Sequence, residues 1–310
     1  MHPLIAIVGP TASGKSELAL FLAEHLSGEI VNYDSVQIFR HIDIGTAKPS
    51  LEDRRRVPHH MIDLREPTET YTAGDYQREA RQVLRKIRER GKVPILVGGT
   101  GLYLRALTEG LFNGPARSNY WRNRLEMIAE RKGREHLHRL LGRLDPAAAS
   151  RIAARDKPKI IRALEVRLET GEPLSKYLEE RPRQPLDGFS IHFIGLNPTR
   201  EELYGRINAR VRQMFGAGLV QEVQQLLARG IPSSAKPFEA IGYRHVVADL
   251  DSCIREEETI RIIQRDTRHY AKRQMTWFRK QPDVTWFDGP GDSDEIKNKV
   301  YQFVKPFVTF

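Results

Sequence analysis

The chain has 310 residues, with 50 Lys+Arg against 40 Asp+Glu for a formal charge of +10, and 40% hydrophobic residues, enough apolar material for one large or two modest cores. No apolar run approaches the roughly 20 residues that span a bilayer, and the opening MHPLIAIVGP has neither a basic stretch ahead of a signal-like core nor a small-residue cleavage site, so a cytoplasmic protein without membrane association is expected. The single cysteine, Cys253, excludes an internal disulfide framework and a zinc ribbon.

The first element is the apolar run at 4–9, ended by Gly-Pro, which reads as a strand buried on both faces. A helix over 15–26 follows, with Leu18, Ala19, Leu22 and Leu26 on one face and Gly28 as its C-terminal stop. Strands are expected at 29–35 and 92–100, with a basic helix at 75–90 between them, and again at 192–196. Helices at 199–214, 220–228 and 256–280 and a last strand at 284–287 complete the series. Strands separated by helices predict an α/β, doubly wound parallel sheet. Between 113 and 188 strand-like runs stop and 17 Lys+Arg face 11 Asp+Glu. This region reads as an inserted helical domain, with Asn113-Gly114-Pro115 and the Pro-rich 181–188 as hinges, inside a core built from 1–112 and 189–310.

Gly9-Pro10-Thr11-Ala12-Ser13-Gly14-Lys15-Ser16 fits G-x-x-x-x-G-K-[ST], the P-loop, between a buried strand and a helix. Its glycines let backbone N–H groups curl around a phosphate, Lys15 reaches the outer phosphate, and the Ser16 hydroxyl is the candidate ligand of Mg2+. Ligands of such sheets bind at the C-terminal strand ends, where Asp34 and Thr100 stand. Asp34 reads either as a turn cap or as a carboxylate facing the P-loop; beside a P-loop the second reading is preferred. No N-K-x-D motif is present, and the one D-x-x-G, Asp288 to Gly291, reads as a turn after the last strand.

The helix at 256–280 carries Ile260, Ile263, Tyr270 and Trp277 on one side, read as core. Arg261, Arg265, Arg268, Lys272 and Arg279 line another. That cationic stripe suits a nucleic-acid backbone or an ordinary solvated face with ion pairs. A P-loop kinase with the insertion as a lid stays compatible with these residues.

Several segments together resemble the bacterial tRNA dimethylallyltransferase family, a group with a P-loop NTPase-like core. They are GPTASGKS at 9–16, YDSVQIFRHIDIGTAKP at 33–49, VPHHMIDL at 57–64, VGGTGLYLRAL at 97–107, IRALE at 161–165, the R-I-x-x-R-V-x-x-M-x-x-x-G-L pattern at 206–219, AIGYR at 240–244 and TRHYAKRQMTWFRK at 267–280. The resemblance implies transfer of a dimethylallyl group from dimethylallyl diphosphate to N6 of the adenine 3′-adjacent to the anticodon, with release of diphosphate and help from Mg2+. It implies Asp34 as general base, with Thr100 beside it as a second catalytic position, and Arg210 as a diphosphate ligand. Asp34, Ser35, Val36, Gln37 and Thr100 match positions that contact the target nucleotide, and Lys159 and Arg162 match tRNA contacts of the insertion, where Pro158-Lys159 replaces the family's usual Gln-Arg pair. Arg261, Arg265 and Arg268 are added from the stripe. A monomer acting on the anticodon stem-loop, without the zinc finger of eukaryotic relatives, is expected. Prenyltransfer to free adenine nucleotides is the alternative within this chemistry.

Overall fold

The computed structural model describes residues 1–112, 114–252 and 255–308; the expected hinge residue Asn113 and the lone Cys253 lie outside them. Strand β1 (His2–Val8) leads into α1 (Lys15–His25), β2 (Gly28–Asn32), the short α2 (Leu51–Arg56), β3 (His59–His60), α3 (Ala73–Glu89), β4 (Val93–Val97) and α4 (Gly101–Thr108). Then come α5 (Asn119–Lys132), α6 (Arg134–Leu144), α7 (Pro146–Arg151), α8 (Lys157–Thr170) and α9 (Leu174–Glu180). The chain returns through β5 (Phe189–Leu196), α10 (Arg200–Gly216), α11 (Leu219–Ala228), α12 (Tyr243–Ser252), α13 (Glu256–Phe278), β6 (Val284–Phe287) and α14 (Asp294–Val308).

The six strands form one sheet in the order β3-β2-β4-β1-β5-β6, every pair parallel. Ile5 stands opposite Ile95 of β4 and His192 of β5. Because side chains alternate along a strand, Leu4, Ala6 and Val8 meet Tyr76, Leu84 and Leu104 on one face. Ile5 and Ile7 meet Leu18, Leu22, Ile296 and Val300 on the other. Covering on both faces is why β1 is apolar throughout; each such buried side chain contributes about 1.5–3 kcal/mol.

Three features depart from the sequence expectation. The two-residue β3 at the sheet edge has no apolar run to announce it. Helix α1 ends through Ser27, whose φ of 51° takes the left-handed turn, whereas Gly28 opens β2 and is small because a Cβ there would lie 2.9 Å from the Val93 carbonyl oxygen. Helices α2, α4, α12 and α14 were not anticipated, although Ile296, Val300 and Val304 of α14 carry helical spacing and are buried.

Cα packing divides the chain into Met1–Thr108 with Leu186–Phe310, and Glu109–Pro185, boundaries a few residues earlier than those at 112 and 188. In the first unit the Leu186 amide donates to the Thr108 carbonyl at 2.8 Å, so the chain leaves and rejoins it at neighbouring points. The second unit is helical, with Leu137, Leu141, Ile160, Ile161 and Leu164 in its core. Within it the fully buried Glu165 accepts from the Ser118 amide at 2.6 Å, Arg122 at 3.1 Å and Arg162 at 2.9 Å.

Candidate active site

The loop between β1 and α1 needs both its glycines. A Cβ on Gly9 would come within 2.9 Å of the Leu196 carbonyl oxygen, and one on Gly14, whose φ is +82°, within 2.7 Å of the Gly291 and Asp292 backbone nitrogens. No side chain caps α1, so the N–H groups of its first turn have no side-chain acceptor and are available to an anion. Lys15 folds back over the loop, its Nζ donating to the carbonyls of Gly9 at 3.0 Å and Pro10 at 2.6 Å. Burial, with Arg210 adding repulsion, pushes the Lys15 ammonium down to about 7, against the pull of Asp34 and Glu17. The turn at 288–292 braces the loop: the Gly291 amide donates to the Ser13 carbonyl at 2.9 Å, while Arg206 joins the Ala12 carbonyl at 2.8 Å to Asp292 at 2.8 Å. Sequence reading recognised a turn there but not this role.

Asp34 follows β2 by two residues. Its Oδ1 accepts from the amides of Val36 at 2.9 Å and Gln37 at 3.4 Å, so Asp34 is a turn cap; its Oδ2 has no partner among the described residues and lies 3.2 Å from where a Gly99 Cβ would stand. The turn cap therefore uses one oxygen, and Asp34 also lines the cavity that Lys15 lines. Fully buried Tyr33 anchors the turn, its hydroxyl donating to the Ile7 carbonyl at 2.6 Å. The Thr100 amide donates to the Tyr33 carbonyl at 3.3 Å. Its Oγ1 accepts from the Ser35 amide at 3.0 Å and donates to the Ser35 hydroxyl at 3.1 Å, leaving one lone pair open.

The 43–48 loop packs beside this turn. Lys48, 1% exposed, bonds the Phe39 carbonyl at 2.8 Å and pairs with Asp43 at 2.6 Å and Asp63 at 2.7 Å. Glu222 of α11 accepts from the Asp43 and Ile44 amides, and Tyr243 donates to Glu222 at 2.5 Å while its hydroxyl accepts from Gly45 at 3.0 Å. The loop then presents the Thr46 carbonyl to Gln37 Nε2 at 3.0 Å and to Arg210 at 3.5 Å. Burial lowers the pKa of Arg210, with Glu17 and Asp34 opposing.

A cavity of about 710 Å³ brings these groups together. Thr11, Ala12, Gly14, Lys15, Ser16, Asp34, Gln37 and Arg210 line it, with Leu20, Ile30, Ile62 and Val97 as an apolar portion. Gly9, Pro10 and Ser13 complete the loop behind it, and Ser35, Val36 and Thr100 belong to the turn that holds Asp34. Among the described residues no three His, Cys, Asp or Glu side chains cluster as a metal cage. One serine hydroxyl at the start of α1 fits a hard cation that takes its other ligands from substrate oxygens and water.

Tyr270, read as core, instead lines the cavity and donates to the Gly99 carbonyl at 3.3 Å. Trp277, also read as core, is 41% exposed; it abuts Gly101 and lies under Arg105, 5.3 Å from the ring centroid. Helical spacing placed both toward the sheet, but there the neighbour is the 98–101 turn, whose glycines leave room for rings. Gln274 was missed altogether. It is buried and joins the Thr11 amide to the Gly99 carbonyl.

The stripe on α13 is partly spoken for. Arg261 lies 3.7 Å from Glu258, Arg265 pairs with Asp266 at 3.0 Å, and Arg268 donates to Asn208 at 2.8 Å; Lys272 and Arg279 are exposed. None of the three arginines lines the cavity. In the helical unit Lys159 is 71% exposed and pairs with Asp156, whereas Arg162 is engaged by Glu165, the Pro115 carbonyl and the Phe112 ring.

Residues 37–281 match the family model described as IPP transferase. The chain is 49% identical to the tRNA dimethylallyltransferase of Koribacter versatilis over 302 residues, 97% of this chain and 98% of that protein. It is 49% identical to that of Solibacter usitatus over 306 residues, 99% of each. Among solved structures, the full-length tRNA isopentenylpyrophosphate transferase of Bacillus halodurans is similar with a TM-score of 0.72 at 39% identity, over 99% of this chain and 97% of that one. A eukaryotic dimethylallyltransferase acting on tRNA is similar with a TM-score of 0.82 at 27% identity, over 99% of this chain and 80% of that one.

Proposed function

The chain belongs to the IPP transferase family, and from that premise we propose that it is a tRNA-modifying prenyltransferase that moves the dimethylallyl group of dimethylallyl diphosphate to N6 of the adenine 3′-adjacent to the anticodon. The observation that carries this reading is the placement of Asp34, whose Oδ1 is held by the backbone, whose Oδ2 has no partner among the described residues, and which lines the cavity with Lys15 and Arg210. The diphosphate enters the N–H groups at the start of α1, and its charge draws the Lys15 ammonium from the backbone carbonyls and restores its protonation. As the C1–O bond breaks, negative charge grows on diphosphate against Lys15 and Arg210, and positive charge on the allylic carbon against the apolar portion of the cavity. The N6 lone pair forms the new C–N bond, and one N6 proton passes to Asp34 Oδ2. Thr100 uses its open lone pair to orient the amine.

Mg2+ would be held by the Ser16 hydroxyl together with substrate oxygens and would supply positive charge to the leaving diphosphate. The target nucleotide meets Ser35, Val36, Gln37 and Thr100. The backbone of the anticodon stem-loop meets Arg261, Arg265 and Arg268 and, in the helical unit, Lys159. A single chain contains every group this scheme uses, and the monomer is taken as the acting unit. No helix among the described residues is long and apolar enough to cross a membrane, and the enzyme works in the cytoplasm, where tRNA is found.

The test is mass spectrometry of nucleosides from tRNA incubated with the protein and dimethylallyl diphosphate. N6-dimethylallyladenosine is expected. Its absence from tRNA with efficient prenylation of free adenosine monophosphate would replace this reading by the free-nucleotide one.

A further inference from the structure

Gln274 is 5% exposed and stands between the two halves of the candidate site. Its Oε1 accepts from the Thr11 amide at 2.7 Å, and its Nε2 donates to the Gly99 carbonyl at 3.0 Å. A backbone amide can only donate and a carbonyl can only accept, so these partners fix which way the carboxamide points. The partners lie 263 and 175 residues away in sequence. One belongs to the loop assigned to diphosphate, the other to the turn whose next residue, Thr100, holds Ser35. Gly99 has no room for a side chain: a Cβ there would come within 2.8 Å of Gln274 Nε2 and 3.2 Å of Asp34 Oδ2.

We propose that Gln274 is a positioning residue that sets the distance between the diphosphate loop and the Asp34–Thr100 turn, so that leaving group and acceptor amine are held in line. The proposal rests on the transfer reaction above but concerns a side chain with no assigned part in it. Gln274 touches neither reacting atom in this account. It acts through Thr11 and Gly99. A small misplacement of two reacting groups costs about 10²-fold in rate, and here one amide spans both.

The amide has a close stand-in that separates positioning from packing. A protonated glutamic acid matches glutamine in shape and polarity, with a C=O to accept from Thr11 and an O–H to donate to Gly99. A glutamate anion can accept from Thr11 but opposes the Gly99 carbonyl with a second lone pair. Burial beside Asp34 favours its neutral form. The activity of Gln274→Glu relative to wild type should therefore rise at least about tenfold from pH 8 to pH 6 as the carboxyl takes up a proton. Dividing by wild type at each pH removes the pH dependence of groups remote from position 274, and the uncharged Gln274→Met is the control for groups beside it. Gln274→Met keeps the volume, loses both bonds, and should show a pH-independent fall of about 10² in kcat with KM for each substrate within a few-fold.

The experiment is a rate measurement on an anticodon stem-loop RNA and dimethylallyl diphosphate with the three proteins at both pH values. It is paired with hydrogen exchange of the peptide containing Thr11, which needs no substrate and should speed up in Gln274→Met. A rising Gln274→Glu ratio with faster Thr11 exchange is the expected result. A flat ratio, or near-normal kcat in Gln274→Met, overturns the proposal. No product from wild type would instead overturn the transfer reading, with the exchange result still reporting on the bridge.

Discussion

The loop at 9–14 and the turn at 98–101 are both glycine-rich bends that follow central parallel strands and open helices, yet their glycines serve different neighbours. In the first, Gly9 and Gly14 make room for backbone, the Leu196 carbonyl and the 291–292 amides, and the result is a rigid cradle of N–H groups. In the second, Gly98 clears the Tyr33–Asp34 backbone and the Tyr33 ring, whereas Gly99 admits Gln274 and Tyr270, and Gly101 admits Trp277. A cradle made of backbone is written in one contiguous run of sequence. A turn shaped by side chains from a helix more than 150 residues later is not.

The largest difference between the two is expected at Asp34, the proposed base on the turn, where the loop is proposed to hold only the leaving group. Asp34→Asn keeps an Oδ1 acceptor for Val36 and Gln37 but loses the basic Oδ2, so single-turnover rates should fall by about 10² to 10⁴ with stem-loop affinity nearly unchanged. Near-normal turnover would leave Asp34 as a turn cap only.

Lys15 probes the loop through pH. With its ammonium near 7 in the free protein, diphosphate must bind the protonated form, so affinity for inorganic diphosphate, measured by calorimetry, should weaken by about tenfold from pH 6 to pH 8 beyond the ligand's own titration. Stability of the ligand-free protein has the opposite sign. Between about 7 and the usual 10.5 the unfolded chain binds more protons than the folded one, so the ligand-free protein should become more stable as pH rises through that window. Lys15→Met should remove both slopes; if they persist, another group carries them.

Legibility followed the same division. The P-loop and the five principal strands were readable because each is a local pattern of glycines or apolar residues, and Asp34 because it follows a strand beside that loop. Gln274 carried no signal of its own, since a polar residue on an amphipathic helix reads as solvated until its distant partners are known. Tyr243 lay in a run recognised by resemblance, but its bond to Gly45, 198 residues away, is a product of the fold. Arg162 shows the converse: its motif at 161–165 contains Glu165, but nothing in the motif said that this glutamate is buried and engages Arg162.

Salt dependence sharpens the reading of α13. Log affinity for the stem-loop should fall linearly with log salt, at roughly 0.7–0.9 per phosphate contact. Arg265→Ala with Arg268→Ala should flatten that slope by about one unit, two at most, because Asp266 and Asn208 already engage these side chains. An unchanged slope would move the RNA surface elsewhere.

The smallest effects come from the turn glycines. Gly98→Ala places a methyl 2.6 Å from the Tyr33 carbonyl carbon, which cannot give, and should cost about 1–3 kcal/mol in denaturant unfolding. Gly101→Ala presses only on Trp277, whose exposed ring can move aside, and should cost less than about 1 kcal/mol. The reverse order would contradict the packing described for this turn.

The central claim is that the P-loop here holds the diphosphate of a substrate that is attacked at its allylic carbon and not at phosphorus. Phosphorus NMR of a reaction containing the protein, dimethylallyl diphosphate and the stem-loop tests it most directly. The account predicts inorganic diphosphate as the phosphorus product, one for each adenosine prenylated. Orthophosphate or dimethylallyl monophosphate formed in step with turnover would mean that the loop serves cleavage at phosphorus, and would contradict it.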